Sequence, residues 1–239
     1  MPEATITNRR VAILEDNDRK RDRLCGLIKL CRAVPVPVVG HAPQLNALPE
    51  FLSTERIDLL VCDHRLFEHG DYAPYYGAQA VERSYHAGVG GVVQTAYERN
   101  DAEISLRRSR RWIPALVHSK ELTHVTLNAA LLQADQEVRE KRPTLERIPH
   151  RTIMTVRRVE LHGATKVVKV VMSQWSAEQE VGFPLDIVPV KMRSSVAPFK
   201  MLIAQVNIEA ASQEDLFFEN FELPNPDVLK KAQSLFGRA

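Results

Sequence analysis

Three carboxylates, a hydroxyl and an amine stand where apolar runs of this chain stop. Val11-Ala12-Ile13-Leu14 leads into Glu15 and Asp16, and the run from Ile57 to Cys62 leads into Asp63. Val92-Val93-Gln94 leads into Thr95, and Ala115 to Ser119 leads into Lys120. Carboxylates brought together repel one another unless a hard dication neutralises them, and an all-oxygen set of this kind suits Mg2+, which keeps several of its waters. A carboxylate in such a site can attack a phosphoryl group, while a hydroxyl and an ammonium take up charge on the transferring oxygens.

The elements that must position these groups follow from the pattern around them. Short continuous apolar runs bounded by polar residues read as strands buried on both faces, as in a parallel sheet covered by helices. In such sheets the carboxyl ends of the strands carry the chemistry. Between the runs, Leu24, Leu27, Ile28 and Cys31 share one helical face, with Arg19, Lys20, Arg21 and Arg23 expected to stay wet and Asn17 or Asp18 as cap. Val34 to Val39 reads as a second strand at a sheet edge, because Pro35 and Pro37 remove ladder donors. Helices are expected at Pro43 to Ser53, Gly77 to Ala87 and Asp101 to Arg110. A long helix is expected from Leu122 to about Lys141, with Leu127, Leu131, Ala134 and Val138 on one stripe; it exceeds what covers the sheet, and its charged far end, Asp135 to Arg142, is expected to project as a signalling helix or a helical arm in a dimer.

With those residues in place, the stretch from 6 to about 140 resembles a response-regulator receiver domain: an acidic pair after the first strand, Asp after the third, Thr after the fourth and Lys after the fifth. The resemblance implies a flavodoxin-like, doubly wound five-stranded parallel sheet. It implies that Asp63 accepts a phosphoryl group from a sensor histidine kinase or phosphotransfer protein, assisted by Thr95 and Lys120. It further implies Mg2+ held by Glu15, Asp16, Asp63 and the backbone carbonyl of Arg65, and a protein that is a phosphoacceptor rather than an enzyme with its own output chemistry. Two positions depart from the family: Glu121 follows the lysine where proline is usual, and Val117 occupies the place of a switching aromatic, for which Tyr97 is a nearby substitute. His64 is expected to be exposed beside the acceptor.

Leu66 to Tyr76, with Gly70, Pro74 and three tyrosines, is longer than the corresponding receiver loop. It reads either as a lid or docking surface or as a tolerated insertion. The sequence divides into residues 1–142, a proline-containing linker at 143–150, and a β-rich module at 151–239. In that module strands are expected at Arg151 to Leu161, Thr165 to Gln174, Asp186 to Arg193 and Lys200 to Ile208, as a small antiparallel sheet or barrel. Asn225-Pro226-Asp227 starts a short last helix. The module resembles no output family and is expected to bind an unknown protein partner. Leu216 to Phe221, aromatic among acids, is either an interaction motif or a segment that closes the core.

Composition bounds the rest. The 239 residues carry 32 basic and 30 acidic side chains, a formal charge of +2, so nothing in the balance calls for nucleic acid. Lys166, Lys169, Lys191, Arg193 and Lys200 with Trp175, Phe183 and Phe199 would be the surface if one were bound. Arg107, Arg108, Arg110 and Arg111 read as a solvated helix face. There is no secretory leader pattern and no apolar run long enough to span a membrane. Cys25, Cys31 and Cys62 form no metal-type cluster and suit buried thiols in a reducing, cytoplasmic setting. A scaffold that dimerises without being phosphorylated and a nucleic-acid-binding regulator are the alternative functions.

Overall fold

The computed structural model describes residues 6–96 and 101–225, except the side chain of Asp101. The chain forms two compact units, one from Met1–Glu98 with Ser109–Thr144, the other from Arg99–Arg108 with Leu145–Ala239.

In the first unit, β1 (Arg10–Leu14), β2 (Val34–Pro37), β3 (Leu59–Asp63), β4 (Gly90–Thr95) and β5 (Ala115–His118) form a wholly parallel sheet in the order β2-β1-β3-β4-β5. That is the flavodoxin-like order. The strand side chains of β3 and β4 are buried throughout, as a sheet covered on both faces requires. Helices α1 (Asp18–Leu30), α2 (Leu48–Thr54) and α3 (Gly77–His86) fall close to their expected places, although α2 begins later than Pro43. Asn17 caps α1 by accepting the Lys20 N–H at 3.1 Å.

The expected fourth helix is replaced by three short pieces: a π-helical stretch at Asp101–Ser105, α4 at Leu106–Ser109, and a 3-10 turn at Arg110–Trp112. Residues 99–108, read from the sequence as part of the first module, group with the second unit. The last helix of the first unit, α5 (His124–Glu140), stops at Lys141 in the left-handed region. Its Leu127, Leu131 and Ala134 are buried in the core beneath the sheet, where they cover β4 and β5. Gly90 makes this fit possible, since a Cβ there would come within 2.4 Å of the Ala134 carbonyl oxygen.

In the second unit, β6 (His150–His162), β7 (Thr165–Met172), β8 (Ser176–Pro184), β9 (Met201–Val206) and β10 (Phe218–Glu222) form an antiparallel sheet in the order β10-β9-β6-β7-β8. The strand expected over Asp186 to Arg193 is instead two 3-10 turns, because Pro189 interrupts any ladder. The third strand is 176–184, where exposed Ala177, Glu178 and Gln179 come before buried Val181, Gly182 and Phe183. Leu216, Phe217, Phe218 and Phe221 are buried, which decides that segment as core. The helix start expected at Asn225-Pro226-Asp227 leads into residues outside those described. No helix among the described residues is long and apolar enough to cross a membrane.

Candidate acidic phosphoacceptor site

The parallel register between β1 and β3 pairs Leu14 with Cys62, so the two strands end side by side and deliver Glu15, Asp16 and Asp63 to the same edge. One carboxylate oxygen from each lies within 4.8 Å of the others. Glu15 is fully buried, and Asp63 and Asp16 are 6% and 9% exposed. The rest of the site is built by the loop after β3. Gly77 is obligatory at its far end, since a Cβ at that position would sit 1.9 Å from the Asp63 carbonyl oxygen. The Gly77 N–H donates to the His64 carbonyl at 2.9 Å, alongside an isolated antiparallel bridge between Arg65 and Tyr76.

That loop is exposed from Phe67 to Asp71 and anchored beyond it. Tyr72 and Tyr75 are buried and donate their hydroxyls to the carbonyls of Val38 and Pro43, at 2.9 and 2.7 Å. The Ala42 N–H donates to the Tyr72 carbonyl at 2.8 Å. Between these anchors the loop reaches the acids, where the His69 N–H donates to Asp16 Oδ2 at 2.7 Å. His64, expected at the surface, is 1% exposed and stacked on Tyr76 with ring centroids 5.0 Å apart. Burial, with Arg65 adding to it, holds its pKa down at about 4, so it is neutral at physiological pH.

Burial is also what drives the acids. It pushes Glu15 up to about 8, with the Asp63 charge adding to the rise, and pushes Asp63 up to about 6 against the opposing charge of Lys20. The cation that acts on both carboxylates is therefore Lys20, in the first turn of α1. Lys20 is exposed, as expected from the sequence, and only its nearness to the acids was not legible there. Arg21, from the same group, is buried and donates to the Glu15 carbonyl at 3.1 Å. Lys120 is exposed and forms no ion pair among the described residues; its backbone N–H donates to His118 Nδ1 at 3.1 Å. Thr95 is buried at the end of β4 opposite His118, and its carbonyl accepts the Ser119 N–H at 2.8 Å. Val117 is buried, and Tyr97 lies outside the described residues.

The donor set fits Mg2+. Glu15 Oε2 and Asp16 Oδ1 are buried and have no hydrogen-bond partner among the described residues, a costly arrangement for carboxylates unless a cation takes the place of donors. All the side-chain ligands are oxygens, which favours a hard cation over zinc or copper.

Two further features bear on binding. Lys169 and Phe183 are fully buried, which removes the centre of the basic and aromatic surface considered from sequence. Arg107 and Arg110 are buried as well, so the arginine cluster is not a solvated face.

No protein-family model matches the sequence, and no curated protein matches it. Solved structures match its N-terminal part. A response-regulator receiver domain protein from Clostridium thermocellum is 9% identical, with a TM-score of 0.43 over 56% of this chain and 99% of its own. The signal receiver domain of an HD domain-containing protein from Pseudomonas fluorescens is 15% identical, with a TM-score of 0.43 over 59% and 97%. A response-regulator receiver domain from Methylobacillus flagellatus is 12% identical, with a TM-score of 0.41 over 54% and 99%. Over slightly more than half its length, then, this chain is similar in structure to response-regulator receiver domains.

Proposed function

We propose that the protein is a two-component response regulator in which Asp63 accepts a phosphoryl group from a phosphohistidine of a sensor kinase or phosphotransfer protein. The observation that carries this reading is the convergence of Glu15, Asp16 and Asp63 at one sheet edge, with buried oxygens of Glu15 and Asp16 lacking protein donors. Glu15, Asp16, Asp63 and the Arg65 backbone carbonyl are the groups that would hold Mg2+. When bound there, the ion supplies the positive charge that lets three carboxylates ionise together and that balances the phosphoryl oxygens.

The chain's own groups do the rest. An ionised Asp63 oxygen attacks phosphorus while the P–N bond to the donor imidazole breaks and the imidazole takes up a proton. Lys20, already acting on Asp63, favours the ionised nucleophile. Lys120, at the end of β5 and unengaged by any acid among the described residues, is assigned to the oxygens of the transferred group. The Thr95 hydroxyl is assigned to one of those oxygens, and movement of Thr95 is the start of the output. The loop from 66 to 76, fixed by Tyr72, Tyr75 and the His69 N–H, borders the acids. The proposed setting is the cytoplasm, and the second unit is proposed to bind a protein partner.

Acetyl phosphate with Mg2+ should label one aspartate. Asp63→Asn should abolish the label, whereas Asp58→Asn should leave it, because Asp58 is taken up at the other end of the sheet by Arg9 and the Arg10 N–H. Labelling elsewhere, or none, would leave the fold as a scaffold.

A further inference from the structure

The chain leaves the parallel sheet after Thr95 and is again part of the first unit from Ser109, while residues 101–108 group with the second unit. The π-helical stretch at Asp101–Ser105 and the start of α4 lie against β7 and β8. The fastening is specific in its chemistry. Lys169 of β7, fully buried, donates its ammonium to Glu103 Oε2, and Glu103 is 2% exposed. A second carboxylate, Glu160, stands 3.4 Å from the same ammonium. Gly182 of β8 makes the room, since a Cβ there would fall 2.6 Å from the Glu103 carboxyl carbon.

One helical turn further on, Arg107 donates Nε to the Gly182 carbonyl at 3.2 Å, one terminal nitrogen to the Gln213 carbonyl at 2.8 Å, and the other to the Leu216 carbonyl. Its guanidinium lies over the Phe218 ring, 5.6 Å from the centroid. Arg108 pairs with Asp186 at 2.7 Å. Lys169 and the Gly182 carbonyl come from β7 and β8, the Gln213 and Leu216 carbonyls and the Asp186 carboxylate from the turns beside them, and the segment meets them with Glu103, Arg107 and Arg108. A buried ammonium is tolerated only when paired, and residues 145–239 supply one partner for Lys169, Glu160 at 3.4 Å, while the closer carboxylate comes from Glu103. A connection that merely lay on the sheet would need none of these matched charges.

We propose that the β7–β8 face is a receptor for a helical segment carrying an acid and, four residues later, an arginine pair, and that residues 101–108 occupy it as the chain's own ligand. The occupant is joined to the acceptor edge by the chain itself, because residues 96–100 run from Thr95 to Asp101. Any movement of Thr95 therefore competes with this docking, and coupling of this kind is reciprocal: the docked segment also biases the acceptor edge. The docking rests on geometry alone, whereas its control by Asp63 rests on the phosphoacceptor reading.

The two are tested separately, by hydrogen exchange on the full-length chain. Glu103→Gln leaves the Lys169 ammonium short of its main partner and should speed exchange across 101–108 by about tenfold or more, with a smaller rise in β7 and β8 and none in β9. Arg107→Ala, which removes the carbonyl contacts without uncovering a buried charge, should act in the same direction. Unchanged exchange over 101–108 in both variants would overturn the docking. So would an equal rise in β9 in both, which would make the segment an ordinary part of that fold. Beryllofluoride with Mg2+ should then alter exchange over 101–108 in the unsubstituted protein. If beryllofluoride binds and that exchange does not move, the coupling falls and the docking stands; if it does not bind, the phosphoacceptor reading is what fails.

Discussion

The backbone N–H of His69 donates to Asp16 Oδ2 at 2.7 Å, and through this bond the loop after β3 is held to the acidic cluster. A hydrogen bond to an ionised acceptor is worth more than a neutral one, about 1.5–3 kcal/mol. Asp16→Ala should therefore loosen the loop as well as weaken Mg2+ binding. The expected result is exchange over residues 66–76 faster by roughly tenfold, with Mg2+ affinity by calorimetry falling far more than in Asp22→Ala, which alters an exposed position on α1.

The raised acids make stability depend on pH in a direction that Mg2+ reverses. A carboxyl group whose pKa is higher folded than unfolded stabilises fully below its ordinary value, and that contribution is lost as pH rises through the folded value. For Asp63 the window runs from an ordinary 3.8 to about 6, and for Glu15 from 4.5 to about 8. In a chelator, the thermal midpoint should fall between pH 5 and pH 8.5 by an amount that Asp63→Asn reduces. Added Mg2+ should raise the midpoint more at pH 8.5 than at pH 5. A Mg2+ effect equal at both ends of the range would mean that these acids are not its ligands.

Lys20 and Lys120 are predicted to fail differently. Lys20→Met removes the charge that opposes the rise of both acids, so the pH at which Mg2+ binding is half-developed should move upward. Lys120→Met should leave that midpoint in place and slow labelling by acetyl phosphate. Mg2+ titrations across pH, set beside initial labelling rates, separate the two.

Gly77→Ala should be among the most damaging single changes in the first unit. Its Cβ would overlap the Asp63 carbonyl, and relief requires shifting either the start of α3 or the end of β3. A loss of more than about 3 kcal/mol is expected from a strained core position of this kind. Gly26→Ala, on α1 with open space around it, is the control and should be neutral or slightly stabilising. Thermal unfolding of the two variants decides it.

What could be read in the sequence was what apolar runs fix locally. A strand that is apolar along its length announces its own end, so Glu15, Asp16, Asp63 and Thr95 were visible as edge residues, while the strand order came with the receiver resemblance. The partners brought in by tertiary packing were not visible. Lys20 and Arg21 looked like any basic residues on a wet helix face, and only the position of α1 over the strand ends puts their charge and donors to use. His64 reads as polar, yet the Tyr76 stack and the loop bury it. In the second unit, β8 escaped notice because its first half, Ser176 to Glu180, is polar and largely exposed, while the apolar 186–193 stretch attracted the strand instead. Lys169 was counted as surface charge because nothing near it in sequence reveals an acid supplied from residue 103.

The prolines of β2 have an effect on the molecule's company. Val34 and Val38 point their N–H groups inward, to the carbonyls of Arg9 and Ile13 at 2.8 and 3.1 Å, and the alternation of a parallel ladder turns positions 35 and 37 outward. Both outward positions are proline, with no N–H to offer. The β2 edge of this sheet therefore presents carbonyls at 35 and 37 without the donors that an incoming strand would pair with, which weakens strand addition at that edge.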